Sequence, residues 1–538
     1  MQMISPGVYT REVDLTDAVA SIATSSAALV GYSAKGSTDS IVLITNNQQF
    51  LREYGEPDPS TGHYFHYAAL AYLAQGNTLW CLRVENGALY GGADIMYAGS
   101  SESNAGLAVG KSVAEFGVDS GLETEVLFQI VGINPGVWND KLGVRIENVK
   151  DGTDPVVEDQ FTFDIVVYLQ DNDGNYAEVE RWNVSRQSKL DGNGRQLYLE
   201  DKVNARSTYI QVLDNTDIAE TVLPKEQATT LALSSGNDGS DITAADVVNG
   251  WDEFANPDDV DIRILINGGE TDVSVHQKMI AVAESRLDCI AVLDMPWEST
   301  ASVVDMVTYR TTTLNANSSY AALWSPWVSV FDSYNDRTLD VPPSGHVAGQ
   351  MAYTDFVGNP WDAPAGTRRG RLNVLDVPYV FSPGERDTLY PQQINMIQKF
   401  TGEGNVLWGQ KTLQRRFSAL SSINVRRSLI VMTKSMAVAL RSFVDENNTA
   451  VTRFRVTALL ETYLSRLAAQ GAFQTELDEG FIVQCDERNN PPEVIDNLEM
   501  RVDVFLKPVR AAEFIRLSVI NTPTGASFEE TIVRGLAQ

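Results

Sequence analysis

LWCLRV, at residues 79–84, reads as a buried strand, because its apolar residues leave neither face suited to water. Ahead of it, GHYFHYAALAYLAQGN (62–77) reads as a helix of aromatics and alanines, with Gly76 as its C-terminal stop. Residues 24–50 read as a strand pair, TSSAALVGY and IVLI, joined by a turn around Lys35-Gly36. Strand, helix and strand in alternation favour a parallel α/β layer. The same theme returns far downstream. DIRILING, a helix around 272–287, DCIAVLDMP, a helix around 299–314 and SSYAALWSP repeat it. Residues 20–84 and 240–380 therefore read as one α/β domain that something else interrupts.

The interruption is β-rich. EVLFQIVG and KLGVRIENV lead into FTFDIVVYLQ, the turn DNDGN (171–175) and YAEVERWNV; Asp173-Gly174 between two alternating runs is a hairpin signal. Two Gly- and Ser-rich stretches, 85–106 and SSGNDGSD (234–241), read as loops on either side. The last third reads as α+β. Leu429, Met432, Met436, Leu440 and Phe443 fall on one helical face, and Val456, Leu460, Leu464 and Leu467 on another, stopped by Gly471. LEMRVDVFL then alternates from Leu498 through Leu506, and FIRLSVI follows. The expected fold class is α/β and α+β multidomain. Its parts are an N-terminal arm (1–20), an α/β domain in two pieces (21–95 and 233–385), an all-β insertion (96–232), an α+β C-terminal domain (386–520) and a C-terminal arm (521–538). A chain of 538 residues has room for such a division.

Charge separates these regions. Residues 361–538 hold 21 Lys and Arg against 20 Asp and Glu; from totals of 41 and 71, that leaves 20 against 51 in residues 1–360. The net charge of −30 is thus carried by the first two thirds, which suits outward-facing domains on a charge-balanced interaction core. No basic stripe points to nucleic acid. No apolar run is long enough for a membrane span, and MQMISPGVYT lacks the features of a secretory signal. Cys81, Cys289 and Cys485 sit apart in apolar runs and read as small buried hydrophobes.

Motifs with chemical meaning are weak. GLAVGKS (106–112) has three residues between its glycines where a phosphate loop has four, and no apolar strand precedes it. DNDGN opens like a calcium loop, but its glycine is misplaced and the closing glutamate is missing, so the hairpin turn explains it better. Asp238 and Asp241 read as part of a solvated loop. His63 and His66 stand among aromatics and read as packing residues; His276 and His346 are isolated. No catalytic, cofactor or metal site is expected.

Both ends carry detached strand-like runs. In ISPGVYTREVDLT, Val8, Thr10 and Glu12 alternate with Tyr9, Arg11 and Val13 after a Ser-Pro-Gly turn. SFEETIV (527–533), with Phe528, Glu529, Thr531, Ile532 and Val533, follows a Thr-Pro-Thr-Gly turn. A terminal strand without a local partner is disordered or pairs with something distant, another molecule included.

PGVYTREVD (6–14), NVLWGQKTL (405–413), RRSLIVMTKSMAVALRSFVDENN (426–448), LAAQGAF (467–473) and residues 481–519 with Ala-Glu-Phe-Ile at 512–515 occur in this order. So arranged, they resemble the tail sheath proteins of myovirus-type bacteriophages and related injection machines. INPGVWNDKLGVRI (133–146) is similar to a family hairpin but lacks its second glycine, and Phe454 stands where that family often has tryptophan. The resemblance implies a structural polymer: six-fold rings stacked around a tail tube, contracting to drive the tube through the host envelope. It implies arms at Val8–Val13 and Phe528–Val533 that add strands to neighbouring subunits. Receiving positions would be Met500, Val502, Val504, Ile515, Leu517 and Val519. Implied partners are further copies of the chain, the tail tube protein, and baseplate and tail terminator or neck proteins, with no nucleic acid; the implied location is the virion tail, assembled in host cytoplasm. Two readings compete. One is host-surface recognition by the β insertion, which needs a groove of exposed aromatics; Trp138 and Trp182 read equally well as hairpin core. The other is an α/β hydrolase or transferase, which needs polar residues converging at the strand C-terminal ends.

Overall fold

The computed structural model describes residues 24–112, 125–151, 161–171, 173–476 and 480–513. Its centre is an eight-stranded sheet. In chain order the strands are β1 (Ala27–Tyr32), β2 (Val42–Ile44), β3 (Leu79–Val84), β4 (Ile264–Ile266), β5 (Ile290–Asp294), β6 (Ala321–Ser325), β7 (Ile394–Phe400) and β8 (Gly404–Trp408). In space they run β2, β3, β1, β4, β5, β6, β7, β8. The six inner strands are parallel, and β2 and β8 close the two ends antiparallel. β1 and β2 are therefore not the pair their sequence spacing predicts: β3 lies between them, because the helix after β2 carries the chain across and back.

Both faces of the sheet are covered, which explains its unbroken apolar runs. Ala27, Leu29, Ile264, Ile266, Ile290 and Val292 face one core, filled by α1 (Phe65–Leu73). Ala28, Val30, Leu265, Ala291 and Leu293 face the other, filled by α2 (Ala244–Asp252) and α3 (Val273–Arg286). α4 (Ser344–Val357) lies against α1 at backbone distance: a Cβ on Gly345 would stand 2.4 Å from the Ala68 carbonyl oxygen. The helix expected around 299–314 is instead a 3-10 turn (Trp297–Ala301), a short α-helix (Val303–Thr308) and a π turn (Tyr309–Leu314). The sheet also runs on past residue 385 through β7 and β8, so strands on both sides of the expected 385/386 division share one sheet.

Asp294, fully buried at the end of β5, ties the sheet to α4. Its carboxylate accepts the Ser344 amide at 2.7 Å and the Gly269 amide at 3.1 Å. Burial raises its pKa to about 7, against the lowering effect of the Ser344 and Gly269 hydrogen bonds. A group with a raised folded-state pKa binds more protons folded than unfolded between about pH 4 and pH 7, so its contribution to stability falls as pH rises through that window. Urea unfolding is expected to show native protein losing stability relative to Asp294→Asn between about pH 5.5 and pH 8. A pH-independent difference would refute this assignment.

The insertion is two four-stranded antiparallel sheets face to face. Phe128 and Phe163 stack between them at 5.6 Å and 15°. The expected hairpin is present: strands Thr162–Gln170 and Tyr176–Val184 pair, and the Asp171 carboxylate accepts the Asp173 and Asn175 amides, the work of a turn. The stretches expected as loops, 85–106 and 234–241, are ordered against each other. Asn86 bridges Gly239, Leu89 bridges Asn237 and Gly92 bridges Ser234. Glycine there permits close approach, since a Cβ on Gly91 would stand 2.7 Å from the Gly236 nitrogen. The expected 95/96 boundary falls inside strand Gly92–Met96. Within GLAVGKS, Gly106 and Lys111 belong to short strands.

Two long helices, α5 (Ile423–Leu440) and α6 (Ala450–Ala469), dominate the last third. Met432, Met436, Val456, Leu460, Leu464 and Leu467 form their shared core, as the helical spacing predicts, with Leu440 and Phe443 packed at its margin. Leu429 is half-buried outside that core. Ion pairs fasten α5 to the α/β layer. Lys434 Nζ lies 2.8 Å from Asp288, whose carboxylate also meets Arg286 Nε at 2.9 Å and Arg263 at 3.8 Å. Arg427 pairs with Asp355 of α4 at 2.6 Å, both almost fully buried.

Candidate subunit-linking surface

After α6 the chain turns at Gly471, whose φ of +84° favours glycine, and doubles back into a small antiparallel sheet. β9 (Phe481–Gln484) pairs with β10 (Asp503–Leu506), opposing Phe481 to Leu506, Ile482 to Phe505 and Val483 to Val504. Either side of it, Gln474 N donates to the Lys507 carbonyl at 2.9 Å and Val509 N to the Ala472 carbonyl at 3.1 Å. Phe481 and Val483 lie buried on the helix core, with Met500, Val502, Val504 and Leu506 half-buried beside them. The opposed pair Ile482 and Phe505 points outward, 63% and 57% exposed. Among the described residues this sheet has two strands, so each keeps one edge without a partner strand. Such an edge is a template for main-chain pairing.

Of the six receiving positions expected from sequence, Met500, Val502 and Val504 are placed here. Only Val504 lies within β10; the strand begins at Asp503, not near Leu498, which is 96% exposed with a φ of +61°. Side chains of all three are committed to their own core, leaving the backbone edge as what a guest strand meets. Ile515, Leu517 and Val519, and the arm residues Val8–Val13 and Phe528–Val533, lie outside the described residues.

Sequence reading misses the anchor at the end of this region. Lys411 Nζ, just after β8, meets both Glu513 carboxylate oxygens at 2.9 and 2.7 Å, and the two side chains are 14% and 16% exposed. The ammonium stands over the Tyr390 ring at 5.2 Å and the Phe417 ring at 5.9 Å. Burial, then the Glu513 charge, raises the Tyr390 pKa. The only hint in the sequence is one charge in each of two quoted motifs, WGQKTL and Ala-Glu-Phe-Ile. Lys411→Met would leave the Glu513 carboxylate largely desolvated and without its cation, with the Tyr390 hydroxyl as its remaining side-chain partner. Trypsin is expected to cut after Arg510 at least about tenfold faster in that variant, since each ~1.4 kcal/mol of lost attachment is tenfold in opening. Unchanged cleavage would show that the pair does not hold this segment.

Other candidates resolve as structure. His63 Nδ1 meets Glu270 at 2.9 Å, and His66 is buried against the Tyr54 carbonyl, its pKa lowered to about 4 by burial. Cys81, Cys289 and Cys485 are free and buried. Asp238 accepts the Val137 amide at 2.8 Å. Among the described residues no group of three or more His, Cys, Asp or Glu side chains is placed to hold a metal ion, and no helix is long and apolar enough to cross a membrane. Trp138 and Trp182 pack on the insertion core, and no described aromatic residue in 125–232 is mainly exposed.

Comparison with known proteins gives two family matches, the phage tail sheath protein central domain over residues 240–413 and the phage tail sheath C-terminal domain over residues 418–521. The tail sheath protein of Enterobacteria phage T4 is 25% identical over 672 aligned residues, covering 100% of both chains. That of Vibrio phage KVP40 is 31% identical over 368 residues, covering 64% of this chain and 53% of the other. Among solved structures, the contracted sheath of the extracellular contractile injection system PVC matches with a TM-score of 0.55 at 16% identity, covering 97% of this chain and 99% of that one. The sheath tail protein of Desulfitobacterium hafniense matches with a TM-score of 0.56 at 12% identity, covering 94% and 100%. At these identities the structural likeness speaks for the fold alone.

Proposed function

This chain belongs to the phage tail sheath family and is a structural subunit of a contractile sheath, and from that premise we propose how it links to its neighbours. It polymerises as stacked six-membered rings around a tail tube, and its terminal segments, Val8–Val13 and Phe528–Val533, add strands to sheets of neighbouring copies. The two-stranded sheet of β9 and β10 is the receiving element. The observation that carries this is the edge of that sheet left without a partner strand among the described residues, beside an apolar pair, Ile482 and Phe505, turned to solvent. Main-chain pairing fits a site whose receiving side chains are already used in packing.

At ~0.5–1.5 kcal/mol net per hydrogen bond, one arm of a few bonds holds weakly. Two arms per subunit, repeated through a lattice, hold by multivalency, and extended connections let rigid bodies reorient without parting. The Lys411–Glu513 pair would fix the point from which the C-terminal arm leaves. Contraction is then a reorientation of the α/β layer and insertion about a lattice the arms keep connected. Tail tube, baseplate and terminator proteins are the further partners this role requires, assembly takes place in the host cytoplasm, and the work is mechanical rather than catalytic. Electron microscopy of the purified full chain is the test. Hollow striated tubes with six-fold rings are expected; monomers at every concentration and salt condition would sink the proposal.

A further inference from the structure

The carboxyl edge of the parallel sheet carries a pocket that nothing above uses. The chain leaves β1 toward β3 by way of α1 on one face, and leaves β4 toward β5 by way of α3 on the other. β1 and β4 are neighbours, so the loops after them diverge. This is a topological switch point, where open α/β sheets form their ligand crevices. The pocket there, of about 380 Å³, is lined by Gly62 and Tyr64 ahead of α1, Gly269 and Thr271 after β4, Trp297 and Glu298 after β5, and Trp327 and Asp340 after β6.

Its walls are aromatic faces and carboxylates. Tyr64 meets Trp327 edge-on at 4.9 Å and 86°, and Trp297 meets Trp327 at 5.3 Å and 62°. Trp327 is fixed, 5% exposed, its indole N–H donating to the Met295 carbonyl at 2.8 Å. Buried Asp294 fixes the Gly269 loop through that amide. Trp297 is 45% exposed at the mouth. Asp340 accepts from the Ser329 hydroxyl, and Glu298 has no ion-pair partner among the described residues. No lysine or arginine lines the pocket; Arg337 acts on the Tyr64 phenol yet stands outside the lining.

Three ring faces and two carboxylates around one space are the requirements for holding a cation, and a planar guanidinium uses both, stacking on the rings and hydrogen-bonding the carboxylates. We infer that the pocket formed by Tyr64, Trp297, Trp327, Glu298 and Asp340 is a guanidinium-recognition site occupied by an arginine of a second copy of this chain. Charge names the donor. Residues 1–360 carry 20 Lys and Arg against 51 Asp and Glu, whereas 17 of the 21 cations in residues 361–538 are arginine. The cage lies in the acidic part, so its complement is the arginine-rich last third of a neighbour. This assignment of the occupant rests on the proposed polymer; the chemistry of the cage does not.

Titrating unpolymerised full-length protein with methylguanidinium chloride at constant ionic strength, followed by tryptophan fluorescence, tests the cage. Saturable binding at millimolar concentration is expected, with neutral N-methylurea inert. Trp297→Ala and Glu298→Gln, both at solvent-accessible positions, are each expected to weaken it by about 5- to 30-fold, the range of a partly desolvated cation–π contact. Non-saturable binding, or equal binding of the urea, overturns the cage. In assembly, the same variants are expected to raise the protein concentration needed for tubes by a similar factor, and free methylguanidinium to raise it for the native chain. Native-like assembly of the double variant overturns the second copy as occupant. Failure of the native chain to form tubes strikes the sheath proposal instead, and leaves the binding arm to judge the cage.

Discussion

A chain lacking residues 1–16 is expected to fold, to sediment as a monomer and to form no tubes at concentrations where the intact chain polymerises fully. The cut falls ahead of β1, whose first residue is Ala27, so the central sheet and both of its cores keep all their strands and helices. What goes is Val8–Val13, the alternating run assigned to a neighbour's sheet. On the proposed linkage each arm would contribute a few main-chain bonds at ~0.5–1.5 kcal/mol net, and losing that at every subunit of a lattice would be amplified because each copy would be held by several neighbours at once. Sedimentation velocity and circular dichroism together read the outcome. Tubes of native abundance would remove the N-terminal segment from the linkage; an unfolded product would assign it to the subunit's own core.

Asp288→Ala is expected to cost the subunit about 3–5 kcal/mol of stability, the loss typical of breaking a buried ion network from one side. The Asp288 carboxylate, 4% exposed, sits among Arg286 at 0%, Arg263 at 2% and Lys434 at 16%. Removing it leaves three cations with little water to take its place. Arg286 keeps the carbonyls of Phe254, Asn256 and Val260. Lys434 has no such reserve in its described contacts, so α5 is expected to loosen first. Lys434→Met serves as the control: it removes the most exposed of the three cations and leaves Asp288 paired with both arginines, so a loss under about 1 kcal/mol is expected. Urea unfolding of the unpolymerised chain measures both. A small effect of Asp288→Ala would mean that water reaches the network.

What the residues reveal and what they conceal divide along physical lines. The apolar runs of β1, β3, β4, β5 and β6 are legible because a strand covered on both faces must be apolar throughout. The faces of α5 and α6 are legible because helical spacing reports one-sided burial directly. Partner choice is not written in periodicity, which is why β1 and β2 read as a pair although β3 separates them. Glycine misleads in 85–106 and 234–241: it has no side chain to show a period, so backbones in close register look like loops. In the linking surface, Ile482 and Phe505 reverse the usual rule that apolar means inward. Lys411 and Glu513 are single charges far apart in the chain, and only the fold sets them together.

The bridges from Asn86, Leu89 and Gly92 to Gly239, Asn237 and Ser234 have a mechanical consequence. A tensile load entering at one terminus and leaving at the other passes along the covalent chain until it meets a shortcut. The insertion is hung from a stem whose two sides are fastened to each other, with the Ser240 amide donating to the Asn86 carbonyl at 2.8 Å. Force crosses at the stem, and everything distal to it rides as an unstressed passenger. Such a passenger is exchangeable: its sequence is free to drift, lengthen or be replaced by a foreign domain with adjacent ends, while the stroke is transmitted by the sheet and helices beneath.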